Sequence, residues 1–224
     1  MKALVYKELK LAMHPICYVF IFMFPFMVLI PSYPLAVGFI YVLSCYPILF
    51  LGANKGQQSN DLLFPTLLPV RKKDIVLARI ITVAIMQFVF IAVMSALVPV
   101  GMYITSQIPD YKPAGFGFNA YVSILAIAIV GFALADLIFL PTYYKNGKSI
   151  VKSTLLTILG FALYLMMFTV ALPFIPGFEW YVDILSNKGL GIQFILLAVA
   201  LLIYVGIHIA VYKISAKRLE QVDF

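Results

Sequence analysis

The amino-acid sequence predicts an all-α integral membrane protein with six transmembrane helices, an N-terminal amphipathic helix and both termini in the cytoplasm. Hydrophobic residues make up 64% of the chain and charged residues only 11%, whereas soluble domains carry about 25% charged residues. Several apolar runs approach the ~20 residues that a helix needs to cross a bilayer. Blocks of Lys and Arg separate these runs. We therefore treat residues 1–224 as a single membrane domain, with no room for a folded soluble domain.

The basic residues predict the orientation, because an excess of Lys and Arg marks cytoplasmic loops. They lie before the first run, between the second and third, between the fourth and fifth, and after the last. These blocks contain Lys2, Lys7 and Lys10, then Lys55, Arg71, Lys72, Lys73 and Arg79, then Lys145, Lys148 and Lys152, and finally Lys213, Lys217 and Arg218. Only Lys112 and Lys188 fall in the other loops. This pattern explains the net charge of +7 better than nucleic-acid binding does, and it favours contact with anionic membrane lipid.

The six predicted spans cover roughly residues 16–30, 35–51, 75–104, 121–140, 154–172 and 190–212. The first two are short and contain Pro25 and Pro47, which membrane helices tolerate where neighbours satisfy the freed carbonyls. Arg79, near the start of the third span, is expected to extend toward the membrane surface.

Residues 1–14 precede the first span and predict an amphipathic helix in the cytoplasmic interface. Val5 and Leu9 recur on one face, and Lys7 and Lys10 recur on another. Such a helix lies in the plane of the interface, and Pro15 then turns the chain into the bilayer.

The first cytoplasmic loop, residues 53–74, contains an apolar cluster that is unusual for a loop exposed to water. Ser59, Asn60 or Asp61 can cap a short helix at its start, and Arg71 belongs to a basic rim at its end. The apolar members are Leu62, Leu63, Phe64, Leu67 and Leu68. Two interpretations fit: the cluster folds back onto the membrane interface, or it forms a short helix that docks into a groove of a cytoplasmic partner.

Two stretches of the chain resemble a known family. Residues 60–79, with Leu67-Leu68-Pro69-Val70-Arg71-Lys72-Lys73-Asp74, look like the first cytoplasmic loop of small ABC-2 type transporter permeases. Residues 139–148, with Pro141, an aromatic pair, Lys145 and Gly147, resemble the end of the fourth span in that family. This chain has Ser149 where the family usually has Glu or Arg.

The resemblance implies a permease that dimerises with itself or with a sister permease and is driven by two copies of a cytoplasmic ABC ATPase. Similar permeases export phenol-soluble modulin or antimicrobial peptides across the bacterial plasma membrane. Loop 53–74 would then be the coupling loop, with ATPase contacts at Asp61, Leu62, Leu63, Phe64, Leu67, Leu68 and Arg71. The chain itself is expected to hold no cofactor and to be no enzyme, since ATP and Mg would bind the partner. Gly147-Lys148-Ser149 matches only the end of a phosphate-binding loop and lacks the first glycine.

Asp136 is the candidate functional residue inside the membrane. A carboxylate in a membrane helix is energetically costly, and a residue of this kind usually has a functional role. It could bind a cationic substrate group or carry protons. Alternatively, it is a structural partner of Lys145, Tyr143 or a backbone group. His14 and His208 look isolated, so no metal site is expected.

The last outside loop, residues 173–189, is rich in aromatic residues. Phe178, Trp180 and Tyr181 are typical of an aromatic belt at the membrane surface, and the resemblance offers an outer gate as the alternative.

The function expected from these observations is that of a permease subunit of an ATP-driven exporter for an amphipathic or hydrophobic substrate. One alternative is a membrane-embedded ligand-binding subunit of an uptake transporter. That protein would need a buried polar pocket, and the spans offer few polar groups beyond Asp136, Gln87 and Gln193. A second alternative is an immunity or scaffold protein that transports nothing.

Overall fold

The computed structural model describes residues 2–12, 15–29, 41–42, 70–107, 122–146, 150–167 and 190–221. All regular structure within these ranges is helical, which confirms the all-α prediction for the described part of the chain. The elements are α1 (Lys2–Lys7), a π-helical turn (Glu8–Ala12), α2 (Pro15–Met23), a 3₁₀ segment (Phe24–Leu29), α3 (Lys72–Ser106), α4 (Val122–Asn146), α5 (Ile150–Met166) and α6 (Leu190–Glu220).

Three of the described helices, α3, α4 and α6, are long and apolar enough to cross a membrane. A fourth span results if the N-terminal helix pair, which is bent by 83°, is counted as one. Helix α5 is a shorter apolar helix of 17 residues, about 25 Å long at 1.5 Å per residue. The described part of the chain therefore supports a multi-pass membrane protein, while the predicted second span lies almost wholly outside it.

The long helices extend beyond the predicted spans at their basic ends. Helix α3 begins at Lys72 instead of near Ile75, and α4 continues to Asn146 instead of ending near Leu140. Helix α6 continues to Glu220, because the polar sequence after the apolar run keeps good helix-forming residues. Hydropathy marks where a helix leaves the lipid, which is not where the helix ends.

Helix α4 is the central helix, and α6 packs along its length in the same direction. Three polar contacts join the two helices in the same order along both: Ser123 with Gln193, Asp136 with His208, and Pro141 with Arg218. The apolar part of α4 is 72% buried within the chain, against 17% for α6. Helix α6 is thus peripheral, and α4 is enclosed by α3, α5 and α6.

An aromatic cluster links the short described segment at residues 41–42 to α3 and α4. The rings of Tyr41 and Phe90 are 4.5 Å apart, and those of Tyr41 and Phe132 are 5.1 Å apart. Phe90 and Phe132 meet edge to face at 5.5 Å. Tilted and edge-to-face geometries at these distances are the favoured ones for aromatic pairs.

The basic ends of the helices lie together at one end of the bundle. Lys73 Nζ lies 3.2 Å from Glu220 Oε1, which joins the start of α3 to the end of α6. Arg218 Nη1 donates a hydrogen bond of 2.6 Å to the Pro141 carbonyl near the end of α4. The alternation of basic blocks along the sequence predicts that these helix ends lie on the same side of the membrane. Assignment of this end to the cytoplasm remains a prediction from the charge pattern.

Glycines permit a close approach of α4 and α5. A Cβ atom at Gly131 would lie 2.7 Å from Phe161 Cε2 and 3.0 Å from Tyr164 Cε1. Tyr164 is held in place because its hydroxyl donates a 2.8 Å hydrogen bond to the Ile127 carbonyl. At Gly206 on α6, by contrast, a Cβ would meet nothing within 4 Å.

We predict that Gly131→Ala destabilises the protein and that Gly206→Ala does not. The added methyl group at position 131 must displace two packed rings, and overpacking of this kind costs about 1–3 kcal/mol. Thermal unfolding of the detergent-solubilised variants measures the difference. Equal melting temperatures for the two variants would contradict the close packing of α4 on α5.

Candidate functional site

The candidate site is a polar network centred on Asp136, which is completely buried in α4. A carboxylate in this position is expensive, since a buried charge is stable only when it is paired and hydrogen-bonded. Its partners come from the two neighbouring long helices, α3 and α6. The network therefore lies where these three helices meet.

Gln87 of α3 connects Asp136 to α6. Its Nε2 group donates a 2.9 Å hydrogen bond to Asp136 Oδ2, and its Oε1 atom accepts a 2.6 Å hydrogen bond from the Tyr204 hydroxyl. An amide side chain has one donating and one accepting end, and both ends are used here. Gln87 is fully buried, so its orientation is set by these partners.

His208 of α6 completes the network. Its Nε2 atom lies 3.0 Å from Asp136 Oδ2, and its Nδ1 atom lies 2.9 Å from the Tyr204 carbonyl oxygen. The imidazole also stacks on the Tyr204 ring, with centroids 4.0 Å apart. Tyr204 and His208 can act together because residues four apart share one face of a helix. The His208 side chain remains 11% exposed.

The network differs from the sequence expectation in its members. The sequence analysis identified Asp136, offered Lys145, Tyr143 or a backbone group as one alternative for its partner, and treated His208 as isolated. The expectation that His208 is isolated is wrong, because the parallel packing of α4 and α6 brings His208 into contact with Asp136. Gln193, the other polar residue noted in the spans, accepts a 3.3 Å hydrogen bond from the Ser123 backbone N–H instead. The useful signal was that Gln87, Asp136 and His208 are rare polar residues in apolar spans.

No group of three His, Cys, Asp or Glu side chains suited to a metal ion occurs among the described residues. At the network, one carboxylate and one imidazole can form hydrogen bonds and bind protons. Asp136 lies nine residues before Lys145, which is about 13.5 Å along the helix.

A second buried charged site joins the N-terminal segment to α3. Glu8 and Arg79 are only 4% and 5% exposed, and Glu8 Oε2 lies 2.5 Å from Arg79 Nε. The contact is an ion pair and not an aligned hydrogen bond, because Nε does not meet hydrogen-bond geometry. Lys7 Nζ lies 3.6 Å from the other oxygen of Glu8. Arg79 therefore pairs with a carboxylate of the N-terminal segment and is buried within the fold.

The other predicted site residues divide into described and undescribed ones. Val5, Lys7 and Leu9 are partly buried and Lys10 is exposed. Leu9 packs against the core, and its carbonyl accepts a hydrogen bond from the Tyr18 hydroxyl. Arg71 is exposed just before α3. The following lie outside the described residues: Asp61, Leu62, Leu63, Phe64, Leu67, Leu68, Phe178, Trp180 and Tyr181.

Long apolar helices with paired polar groups inside define a multi-pass membrane protein. The sequence model of the family described as ABC-2 family transporter protein matches residues 3–217. The chain therefore belongs to the ABC-2 transporter family, which confirms the resemblance found in its loops. Comparisons with curated proteins and with solved structures give no match.

Membership defines the general role of the chain. Proteins of this family are membrane subunits of ABC transporters and are generally non-catalytic, and the family implies an ABC ATPase as partner.

We predict that Gln87→Leu destabilises the protein by about 1–3 kcal/mol, because it removes a donor from Asp136 and an acceptor from Tyr204 in a buried position. The exposed neighbour Val89 provides the control, and Val89→Leu should leave the stability unchanged. Thermal unfolding in detergent compares the two. A Gln87→Leu variant as stable as the control would mean that the network contributes nothing to the fold.

We also predict that Glu8→Gln costs about 3–5 kcal/mol, because it leaves the Arg79 guanidinium buried without its counter-charge. Glu220→Gln breaks the exposed pair with Lys73 and should cost at most about 1 kcal/mol. The loss of stability in each variant is measured as the fraction of protein that remains monodisperse after heating. Similar losses in the two variants would refute the special role of the buried pair.

Proposed function

We propose that this chain is the permease subunit of an ATP-driven exporter that moves an amphipathic or hydrophobic substrate, most simply a peptide, out of the cell. The observation that carries the proposal is the match of the ABC-2 transporter family to residues 3–217. Two copies of a cytoplasmic ABC ATPase would supply the energy, with ATP and Mg bound there. The permease would pair with a second copy or with a sister permease.

The connection of loop 53–74 to α3 supports a coupling role for this loop. The loop leads directly into α3, which begins at Lys72 and continues for 35 residues, or about 50 Å. Gln87 lies 15 residues into the helix, where it contacts both Asp136 and Tyr204. A force applied to the loop would therefore reach the centre of the bundle through one continuous helix.

The proposed ATPase contacts are the apolar cluster and its flanks, namely Asp61, Leu62, Leu63, Phe64, Leu67, Leu68 and Arg71. The exposure of Arg71 at the start of α3 suits a contact with an acidic rim on the partner. The buried Glu8–Arg79 pair would carry the same motion to the N-terminal segment, because it fixes that segment to α3 two turns beyond the loop.

In the proposed cycle, ATP binding brings the two ATPases together and displaces both coupling loops. Each α3 then moves relative to α4 and α6, and the seam between the two permeases opens outward. An amphipathic substrate would follow this seam with its apolar side against the exposed apolar faces of the helices. Phe178, Trp180 and Tyr181 are the proposed outer gate.

We predict that Leu63→Glu with Phe64→Glu abolishes ATPase stimulation and ATP-driven efflux of a labelled amphipathic peptide, because a charged cluster cannot enter an apolar groove. Membrane insertion should be normal, since the changes lie in a loop. Gln57→Glu, in the same loop but outside the apolar cluster, is the matched control. The measurement is copurification of the ATPase with each variant, followed by efflux from cells. Unchanged copurification and efflux would overturn the coupling role.

A further inference from the structure

The hydrogen bonds around His208 require a proton that a free histidine and a free carboxylate would not hold together at neutral pH. The Tyr204 carbonyl can only accept, so the Nδ1 atom 2.9 Å away carries a hydrogen. The Nε2 atom faces Asp136 Oδ2 at 3.0 Å. A hydrogen must lie between these two atoms as well, because two bare lone pairs would repel. Either His208 is an imidazolium beside a carboxylate, or neutral His208 accepts from a protonated Asp136.

The surroundings favour retention of this proton. Asp136 is fully buried, and loss of the proton would leave a net negative charge in the membrane interior, which is strongly unfavourable. Gln87 offers a dipole but no charge to compensate for it. Two titratable groups are in contact with His208: Asp136 of α4 and Tyr204 of α6 itself. Along α6, Lys213 lies about 7.5 Å from His208, and along α4, Lys145 lies about 13.5 Å from Asp136.

We propose that Asp136 and His208 form a proton-binding site within the membrane and that the bound proton holds α6 against α3 and α4. The site needs no cavity, because its ligand is a single proton shared between two side chains already in contact. Its assignment depends on neither the substrate nor the ATPase, so it can fail or stand separately from the proposed export function.

Because α6 lies at the periphery of the bundle, the proton can affect how firmly this helix is attached. This helix is the least buried of the three long ones, and three polar contacts fasten it to α4. The outer two, Gln193 with the Ser123 backbone and Arg218 with the Pro141 carbonyl, involve no group that titrates near neutral pH. Of these three described contacts, the central one is the one that contains groups able to lose a proton near neutral pH, so loss of the proton would loosen the middle of α6 from α4 while its ends stay attached.

The direct test is spectroscopic and uses the whole chain in lipid. The chain has two histidines, so His14→Gln leaves His208 as the single imidazole for ¹⁵N solid-state NMR. We expect at neutral pH either two protonated ring nitrogens, or one unprotonated nitrogen together with an infrared carboxylic-acid band that disappears in Asp136→Asn. One unprotonated nitrogen without such a band would overturn the proposal.

The second test measures stability against pH, from about pH 6 to pH 9. Free histidine loses its proton near pH 6.5, so above that value the folded protein would bind one more proton than the unfolded chain. Stability should then fall as pH rises through this range, because the folded state is the one that holds the proton. The double variant D136N/H208Q keeps polar side chains but should lose this dependence.

Gln193→Leu is the matched control, since it removes a polar contact between the same two helices without removing a titratable group. It should lower the melting temperature equally at every pH and keep the wild-type slope. Equal slopes for the wild type and D136N/H208Q would refute the proton site. If the double variant fails to fold, the ¹⁵N and infrared spectra of His14→Gln still test the site with the network intact: one unprotonated nitrogen with no carboxylic-acid band at all would refute it.

Discussion

The fold depends on one constraint: a carboxylate or a guanidinium that enters the apolar interior must find its partner inside the protein. Asp136 cannot be hydrated where it lies, so α3 and α6 must supply Gln87 and His208 at the right height. This requirement fixes the register of three helices whose apolar side chains alone would permit sliding. Leu, Ile and Val pack in many registers, whereas a 3 Å contact between named atoms is satisfied in one.

The all-α class and the positions of four helices could be predicted from the sequence, because they follow from hydropathy and charge, which are local properties. Asp136 could be singled out for the same reason. Its partners could not, since Gln87 and His208 are brought to it by helix packing across 49 and 72 positions. Arg79 shows the same limit: the sequence predicted a side chain that extends toward the membrane surface, and only the fold reveals Glu8 beside it.

The two buried charge sites lie at different heights along the bundle. The Glu8–Arg79 pair lies near the basic end, where α3 starts, and connects the N-terminal segment to that helix. The Asp136 network lies further along α3 and connects it to α4 and α6. Helix α3 takes part in both, so it connects the N-terminal segment at the basic end with the polar network in the interior. The family's general design, with an ATPase outside the membrane and a substrate path within it, needs such an element.

The Glu8–Arg79 pair also bears on how the chain is made. Glu8 leaves the ribosome long before Arg79, and α3 must enter the membrane with an arginine near its start. Until the two meet, each charge sits at the lipid boundary without its partner, so the N-terminal segment has to stay at the surface and wait. The segment around Glu8 can thus be locked in place only after α3 has been made, and a bulky group beside Glu8 would interfere with assembly before it affects the finished protein.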